Sequence, residues 1–245
     1  MTAWGLRLGS CRQEHLLEYA RLLASYDRAN VIGTRDVDGI LLAHVLDSLS
    51  CFLHEPLLHA GRLADVGSGG GLPGIPIKIM KPDLTATLVE STVKKAAFLQ
   101  YALDSLSLDG AEVANSRVED LGRAKASRGA YDVVTSRAVA RLSVVAEYSV
   151  PLLETGGWAI AMKGRLEQEE LSECSRAVGT LGARVAGITK VPMLSEVGEK
   201  ERNLVILEKI RETPARYPRR SGVVAKRPLG VGCATAANDV LRCQR

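Results

Sequence analysis

A run of twelve residues has the composition of a ligand-binding loop. It extends from Asp65 to Pro76, reads DVGSGGGLPGIP, and follows a short apolar segment. Glycines at alternating positions allow positive φ angles and a close approach of the backbone to a ligand. The pattern therefore predicts a strand that ends near the acid, a loop that contacts a ligand, and a helix that follows.

Three kinds of glycine loop fit this run to different degrees. A phosphate-binding P-loop needs Lys directly after its final glycine, and Ile75 stands there instead. The spacing of Gly69, Gly71 and Gly74 matches the dinucleotide-binding pattern of NAD enzymes. An acid followed by alternating glycines, as from Asp65 onward, is typical of enzymes that bind S-adenosylmethionine (SAM). The P-loop is excluded, and two ligand classes remain.

Electric charge distinguishes these two ligands. Pyrophosphate is anionic and gains from helix N–H groups and nearby cations. SAM carries a sulfonium and an ammonium group and no phosphate, so an acid at the strand end suits its methionine portion. No Lys or Arg lies between Asp65 and Ile77, and Pro73 and Pro76 each remove an N–H donor. We therefore favour SAM, with NAD as the alternative. The loop residues predicted to form the site are Asp65, Gly67, Gly69 and Leu72.

Strand and helix patterns alternate on both sides of this loop. This alternation predicts an α/β fold, a seven-stranded, mostly parallel sheet with helices on both faces. The last two strands have little helix between them and predict a terminal antiparallel hairpin. Two helices, Glu14–Arg28 and Val37–Leu53, predict an N-terminal helical extension. The predicted strands are Arg62–Val66, Leu84–Glu90, Glu112–Ala114, Asp132–Ser136, Gly157–Lys163, Arg184–Lys190 and Arg202–Lys209.

Polar residues follow several of these strands, at the edge where ligands of parallel sheets bind. They are Glu90, Arg137 and Lys163, together with the glycine loop. Glu90 lies 23 residues after Gly67, close to the spacing at which an acid binds ribose hydroxyls. Such an acid serves SAM and NAD equally, so it indicates an adenosine ligand without choosing between the two.

Composition excludes several functional classes. No run approaches the roughly 18 apolar residues that a membrane span needs, so we expect no membrane association. The five cysteines and four histidines show no C-x-x-C pair and no metal-ligand spacing. We therefore predict no metal site and reduced thiols in a cytoplasmic protein.

Positive charge is concentrated at the C-terminal end. Residues 209–245 hold nine Lys or Arg and two acids, a net charge of +7, whereas the whole chain carries +4. Such blocks often contact nucleic acid, although a solvated tail that maintains solubility is an equally common explanation. We expect three regions: a helical extension (1–60), a ligand-binding core (61–210) and a basic tail (211–245) that is partly disordered from residue 231.

Six dispersed segments accompany the glycine loop, and together they resemble one family. They are His44–Leu49, Lys94–Leu99, Arg117–Asp120, Asp132–Ala138, Met162–Gly164 and Thr213–Leu229. In chain order they are similar to the H-x-x-D-S helix, the helix after the second strand, the R-x-E-[ED], D-x-[IV]-x-S-R-A and K-G segments, and the tail of one family. This family is the bacterial small-subunit rRNA guanine-N7 methyltransferases, the glucose-inhibited division protein B family. The match covers about residues 15–230. It departs at Asn30-Val31-Ile32, where the family has N-L-T, and at Glu90, where Asp is frequent.

The resemblance implies a SAM-dependent methyltransferase with a Rossmann-like fold. It places SAM contacts at Gly67, Leu72, the Val118–Glu119 pair and Arg137; the Val118–Glu119 pair follows from the resemblance alone. The implied reaction is methyl transfer from SAM to N7 of a guanine in 16S rRNA, on the small ribosomal subunit or its naked RNA. We expect the enzyme to act as a monomer.

Guanine N7 carries a free lone pair and no proton, so its attack on a sulfonium methyl group needs no general base. Positioning can then supply much of the catalysis. Ser136 and Lys163 are the candidates for holding the base and its phosphates, and Arg137 for binding the SAM carboxylate. His44 and Asp47, one helical turn apart, are expected to fix the extension to the sheet. The alternatives are a small-molecule methyltransferase, an NAD-dependent oxidoreductase and a non-catalytic RNA-binding module.

Overall fold

The computed structural model describes residues 4–192 and 201–231. A seven-stranded sheet lies at its centre, in the order β3-β2-β1-β4-β5-β7-β6. β1 to β5 run parallel, β7 runs antiparallel to β5, and β6 antiparallel to β7, which confirms the predicted sheet and its terminal hairpin. The strands are β1 (Arg62–Val66), β2 (Thr85–Val89), β3 (Ala111–Ala114), β4 (Tyr131–Arg137), β5 (Leu153–Lys163), β6 (Ala183–Lys190) and β7 (Asn203–Lys209).

Helices cover both faces of the sheet. They are α1 (Ser10–Ser25), α2 (Val37–Ile40), α3 (Pro56–His59), α4 (Gly74–Met80), α5 (Val93–Ser105), α6 (Val118–Leu121), α7 (Leu142–Ser149), α8 (Gln168–Leu181) and α9 (Val223–Lys226). α1, α4 and α5 pack on one face, and α7 and α8 on the other. Successive residues of a strand point to opposite faces, so Leu63 joins the first core and Ala64 the second. Because both faces of the central strands are buried, their sequences are continuous apolar runs.

Two helical segments are interrupted at identifiable residues. The expected helix Val37–Leu53 is divided: α2 passes into a π-helical turn, Leu41–Leu46, and then into a 3-10 turn, Leu49–Leu53. Here the hydroxyl of Ser48 donates a hydrogen bond to the carbonyl of His44 (2.7 Å). The helix α7 ends at Ser149 because Pro151 lacks the N–H that would continue it. Leu153 begins β5.

The chain after β7 forms a strap, residues 211–231, that packs on α6 and α7. Its residues Tyr217 and Val224 are buried against the domain. The guanidinium of Arg128 donates to the carbonyls of Tyr217 (2.6 Å) and Thr213 (2.7 Å). The N-terminal part of the predicted basic tail is thus folded against the domain. The disorder expected from residue 231 falls almost entirely on residues 232–245, which lie outside the described residues.

In residues 4–192 and 201–231, no helix is long and apolar enough to cross a bilayer.

Candidate functional site

The glycine loop lies at the carboxyl end of β1 and is built from residues with left-handed backbone angles. Gly67, Gly69 and Gly71 have φ of +69°, +57° and +92°. The N–H groups of Gly67 and Ser68 donate to the carbonyl of Val89 on β2 (2.9 and 3.0 Å). A Cβ on Gly67 would lie 2.8 Å from Cγ2 of Val139. Glycine is therefore required at this position both by the positive φ and by the packing of Val139.

Asp65 supports this loop from below. It lies opposite Thr135 in the pairing of β1 with β4, and its carboxylate accepts hydrogen bonds from the Thr135 hydroxyl (2.8 Å) and the Gly74 N–H (3.2 Å). Burial raises the pKa of Asp65 to about 6, against the opposing effect of these donors. The side chain is fully buried beneath the loop.

Glu90 approaches the loop from the neighbouring strand, directly after β2. One carboxylate oxygen accepts the N–H of Gly69 (3.0 Å) and the other accepts the N–H of Thr92 (2.7 Å). An ionised carboxylate offers about four lone-pair sites, so Glu90 can also accept hydrogen bonds from ligand hydroxyls. The predicted proximity of Glu90 to the glycine loop is therefore present in the structure.

The Val118–Glu119 pair forms the first turn of α6, beyond β3. Glu119 is buried, and its carboxylate accepts the N–H of Gly222 from the strap (3.4 Å). Asn115, which precedes this turn, donates to the carbonyl of Glu90 (2.8 Å). These contacts bring the pair to the same edge of the sheet as Glu90.

Arg137, the last residue of β4, points to the helical extension. It donates to the carbonyl (2.9 Å) and Nδ1 (2.8 Å) of His44 and lies 3.4 Å from a carboxylate oxygen of Asp47. The other oxygen of Asp47 lies 3.1 Å from Nε of Arg202. Burial lowers the pKa of Arg137, and Asp47 partly offsets this shift. His44 and Asp47 thus join the extension to the sheet, as predicted, and Arg202 is a site residue that sequence reasoning missed.

A cavity of about 300 Å³ opens between the ends of β4, β5 and β7. Arg137 and Lys163 both line this cavity. Ser136, the residue before Arg137 on β4, is buried. The ammonium of Lys163 donates to Glu170 (2.8 Å) and to the carbonyl of Ala140 (3.2 Å). The polar residues that line the cavity are Asp47, Ser50, Arg137, Lys163, Arg165, Arg202 and Asn203.

Metal binding has no evident site in the part of the chain that the structure describes. No group of three or more His, Cys, Asp or Glu there is placed to hold an ion.

Comparison with known sequences gives one consistent result. The family model described as rRNA small subunit methyltransferase G (GidB) matches residues 12–205. A protein of Rubrobacter xylanophilus named ribosomal RNA small subunit methyltransferase G is 58% identical over 95% of this chain and 89% of its own length. A protein of the same name from Chloroflexus aggregans is 42% identical over 93% of this chain and 94% of its own.

Solved structures with the same fold are much more distant in sequence. The branched-chain polyamine synthase of Thermus thermophilus superimposes with a TM-score of 0.60 at 14% identity, over 85% of this chain and 66% of its own. The antibiotic-resistance methyltransferase Kmr gives 0.52 at 19% identity, over 67% and 94%. These similarities support the Rossmann-like methyltransferase fold.

Proposed function

The chain belongs to the rRNA small subunit methyltransferase G family, and we infer from this membership that it is a SAM-dependent methyltransferase that acts on 16S rRNA. We further propose that the methylated atom is N7 of a guanine. We also place the enzyme in the cytoplasm as a monomer, where its substrate is the small ribosomal subunit or its naked rRNA.

The loop from Asp65 to Leu72 with Glu90 beside it is the observation that carries the cofactor assignment. Glycines with positive φ follow β1 and have no side chain to cover the backbone there. Glu90 accepts the N–H of Gly69. We propose that Glu90 binds the ribose hydroxyls, and that Gly67, Gly69 and Leu72 line the path of the methionine portion. Val118 and Glu119 hold the adenine edge. The bound SAM supplies an electrophilic methyl group on a sulfonium.

Charge balance supports an anion-binding role for Arg137. The single carboxylate of Asp47 is shared by two guanidinium groups, those of Arg137 and Arg202. Among the described residues, no second carboxylate pairs with either guanidinium, so one positive charge of this partly buried group has no acidic partner there. We propose that the carboxylate of SAM offsets that charge, with Arg137 as the donor.

The target nucleotide is assigned to the cavity lined by Arg137, Lys163 and Arg202. Because guanine N7 needs no deprotonation, the residues there have only to orient the base and its phosphates. Lys163 is paired with Glu170, so it adds little net charge beside a ring that becomes positive on methylation. Ser136 supports this wall from within β4.

Contacts with the RNA backbone are proposed for cations outside the cavity. Lys94 and Lys95 stand in the first turn of α5, where the helix has no acidic residue. Cations at a helix N-terminus are electrostatically unfavourable, so this placement is best explained by a polyanionic partner. The exposed strap residues Arg220, Lys226 and Arg227 are assigned the same role.

Cofactor binding is tested by thermal shift with SAM, S-adenosylhomocysteine and NAD. SAM and S-adenosylhomocysteine should raise Tm, and Glu90→Ala should abolish most of that rise. The matched control is Glu112→Ala, which removes an acid of β3 that accepts one side-chain hydrogen bond, from Thr87 (3.0 Å). Stabilisation by NAD and not by SAM would favour the alternative, an NAD-dependent oxidoreductase.

Substrate choice is tested by transfer of a labelled methyl group from SAM. Purified small subunits and naked 16S rRNA should be compared, both from cells that lack this gene. Label on rRNA supports the proposal. Label only on small molecules would favour a small-molecule methyltransferase, and SAM-independent RNA binding without transfer would favour a non-catalytic module.

A further inference from the structure

Tyr19 connects the helical extension to the glycine loop. It lies on α1 and is fully buried. Its hydroxyl donates a hydrogen bond to the carbonyl of Gly70, 51 positions along the chain. Burial raises the pKa of this phenol well above its usual value, and the nearby Asp65 raises it further. The hydroxyl therefore stays protonated and acts as a donor over the working range of pH.

The loop is held from three directions. Asp65 binds the N–H of Gly74 from below, and Glu90 binds the N–H of Gly69 from the β2 side. Tyr19 provides the third attachment, on the side that faces the extension. Within the loop the carbonyl of Ser68 accepts the N–H groups of Gly71 and Leu72 (2.7 and 3.2 Å). The N–H of the Gly70–Gly71 peptide is therefore bonded from within the loop, whereas its carbonyl takes its donor, Tyr19, from outside.

Packing at this contact is tight. A Cβ on Gly70 would lie 2.8 Å from the carbonyl oxygen of Val31 and 3.0 Å from Cδ2 of Leu23. A Cβ on Gly71 would lie 2.9 Å from the hydroxyl oxygen of Tyr19. Gly70 therefore lies against the extension, and Gly71 lies between Tyr19 of the extension and Ile75 of α4, whose Cδ1 would be 2.5 Å from a Cβ.

We propose that Tyr19 is a positioning residue for SAM: its hydroxyl fixes the Gly70–Gly71 peptide and holds the loop in the shape that receives the cofactor. This inference rests on the proposed function. A loop this rich in glycine has a large conformational entropy to lose on binding, and a preformed loop avoids that cost. Tyr19 touches no reacting atom, so its removal affects affinity and leaves the chemical step intact.

The test compares Tyr19→Phe with Tyr131→Phe. Tyr131 is also buried and donates a hydrogen bond, to Thr87 (3.3 Å), but it lies away from the loop. We expect Tyr19→Phe to raise the Kd and KM for SAM about tenfold, equivalent to ~1.4 kcal/mol, with kcat at saturating SAM within about twofold of the wild type. Tyr131→Phe should leave both constants unchanged. Hydrogen exchange at the amides of residues 69–72 should be faster in Tyr19→Phe and slow again on addition of SAM.

Two results would overturn the inference in different ways. A lower Tm for Tyr19→Phe with an unchanged Kd for SAM would make the contact purely structural, while the proposed function stands. Failure of the wild-type protein itself to bind SAM would overturn the proposed function, and this inference with it.

Discussion

Arg219→Ala is expected to destabilise the protein by about 3 kcal/mol, because it removes the partner of a buried carboxylate. Glu147 on α7 is fully buried, and Arg219 on the strap reaches it with Nε (2.9 Å), Nη2 (2.5 Å) and its backbone N–H (2.8 Å). This ion pair raises the pKa of Arg219, since Glu147 accepts from the guanidinium and carries the opposite charge. The pair links the strap to the sheet through α7.

The magnitude follows from the burial of Glu147. Removing one partner of a buried ion pair typically costs about 3–5 kcal/mol. The backbone N–H of residue 219 persists in the variant and still satisfies one oxygen, which places the loss near the lower limit. For a chain of this size, each kcal/mol corresponds to roughly 2–4 °C in Tm. A fall in Tm of about 6–12 °C is therefore expected.

Urea unfolding and calorimetry measure this loss of stability in three variants: Arg219→Ala, Arg216→Ala and the double variant Arg219→Ala with Glu147→Gln. Arg216→Ala is the control, because Arg216 lies on the same strap but is exposed and only stacks over Tyr217 (5.1 Å); its cost should stay below about 1 kcal/mol. Adding Glu147→Gln to Arg219→Ala should recover part of the stability, since the uncompensated charge disappears. Equal and small losses for Arg219→Ala and Arg216→Ala would refute the view that this pair anchors the strap.

Two further predictions concern ligand affinity. The raised pKa of Asp65, about 6, means that a proton competes with a cationic ligand below that pH; the Kd for SAM from calorimetry should fall about tenfold between pH 5 and pH 7. Asp65→Asn should remove this dependence, and a flat wild-type profile would contradict the assignment. Replacing Arg220, Lys226 and Arg227 by Gln should reduce the slope of log K against log salt for RNA by about 2–3, with Tm unchanged. An unaltered slope would assign these charges to solubility.

The loop and its strand were predictable because their signals are local. An apolar run that enters alternating glycines allows few other structures, and β1 spans Arg62–Val66 as expected. Glu90 was predictable for a related reason, since the carboxyl ends of parallel strands share one edge of a sheet. The fold class was set by the alternation of strand and helix patterns in the same way.

Contacts between distant segments were not predictable from one sequence. Tyr19 looks like any core residue of an amphipathic helix, and nothing near it indicates a bond to Gly70. Arg202 directly precedes β7, at the edge where β5 ends; because antiparallel strands start where their neighbours finish, this position was a signal that sequence reasoning could have used. The pairing of Arg219 with Glu147 spans 72 positions, and a basic tail alone gives no indication of which cations are buried.

We propose that this chain methylates N7 of a guanine in 16S rRNA with SAM. The most direct measurement maps N7-methylguanine, by chemical cleavage at the modified base and by nucleoside mass spectrometry, in 16S rRNA from cells with and without this gene. We predict a single guanine that carries the methyl group only when the gene is present, and recovery of that methyl group when the purified protein and SAM are added to small subunits from the deletion strain. Identical modification in both strains, or a methyl group on another atom, would contradict the assignment of this activity.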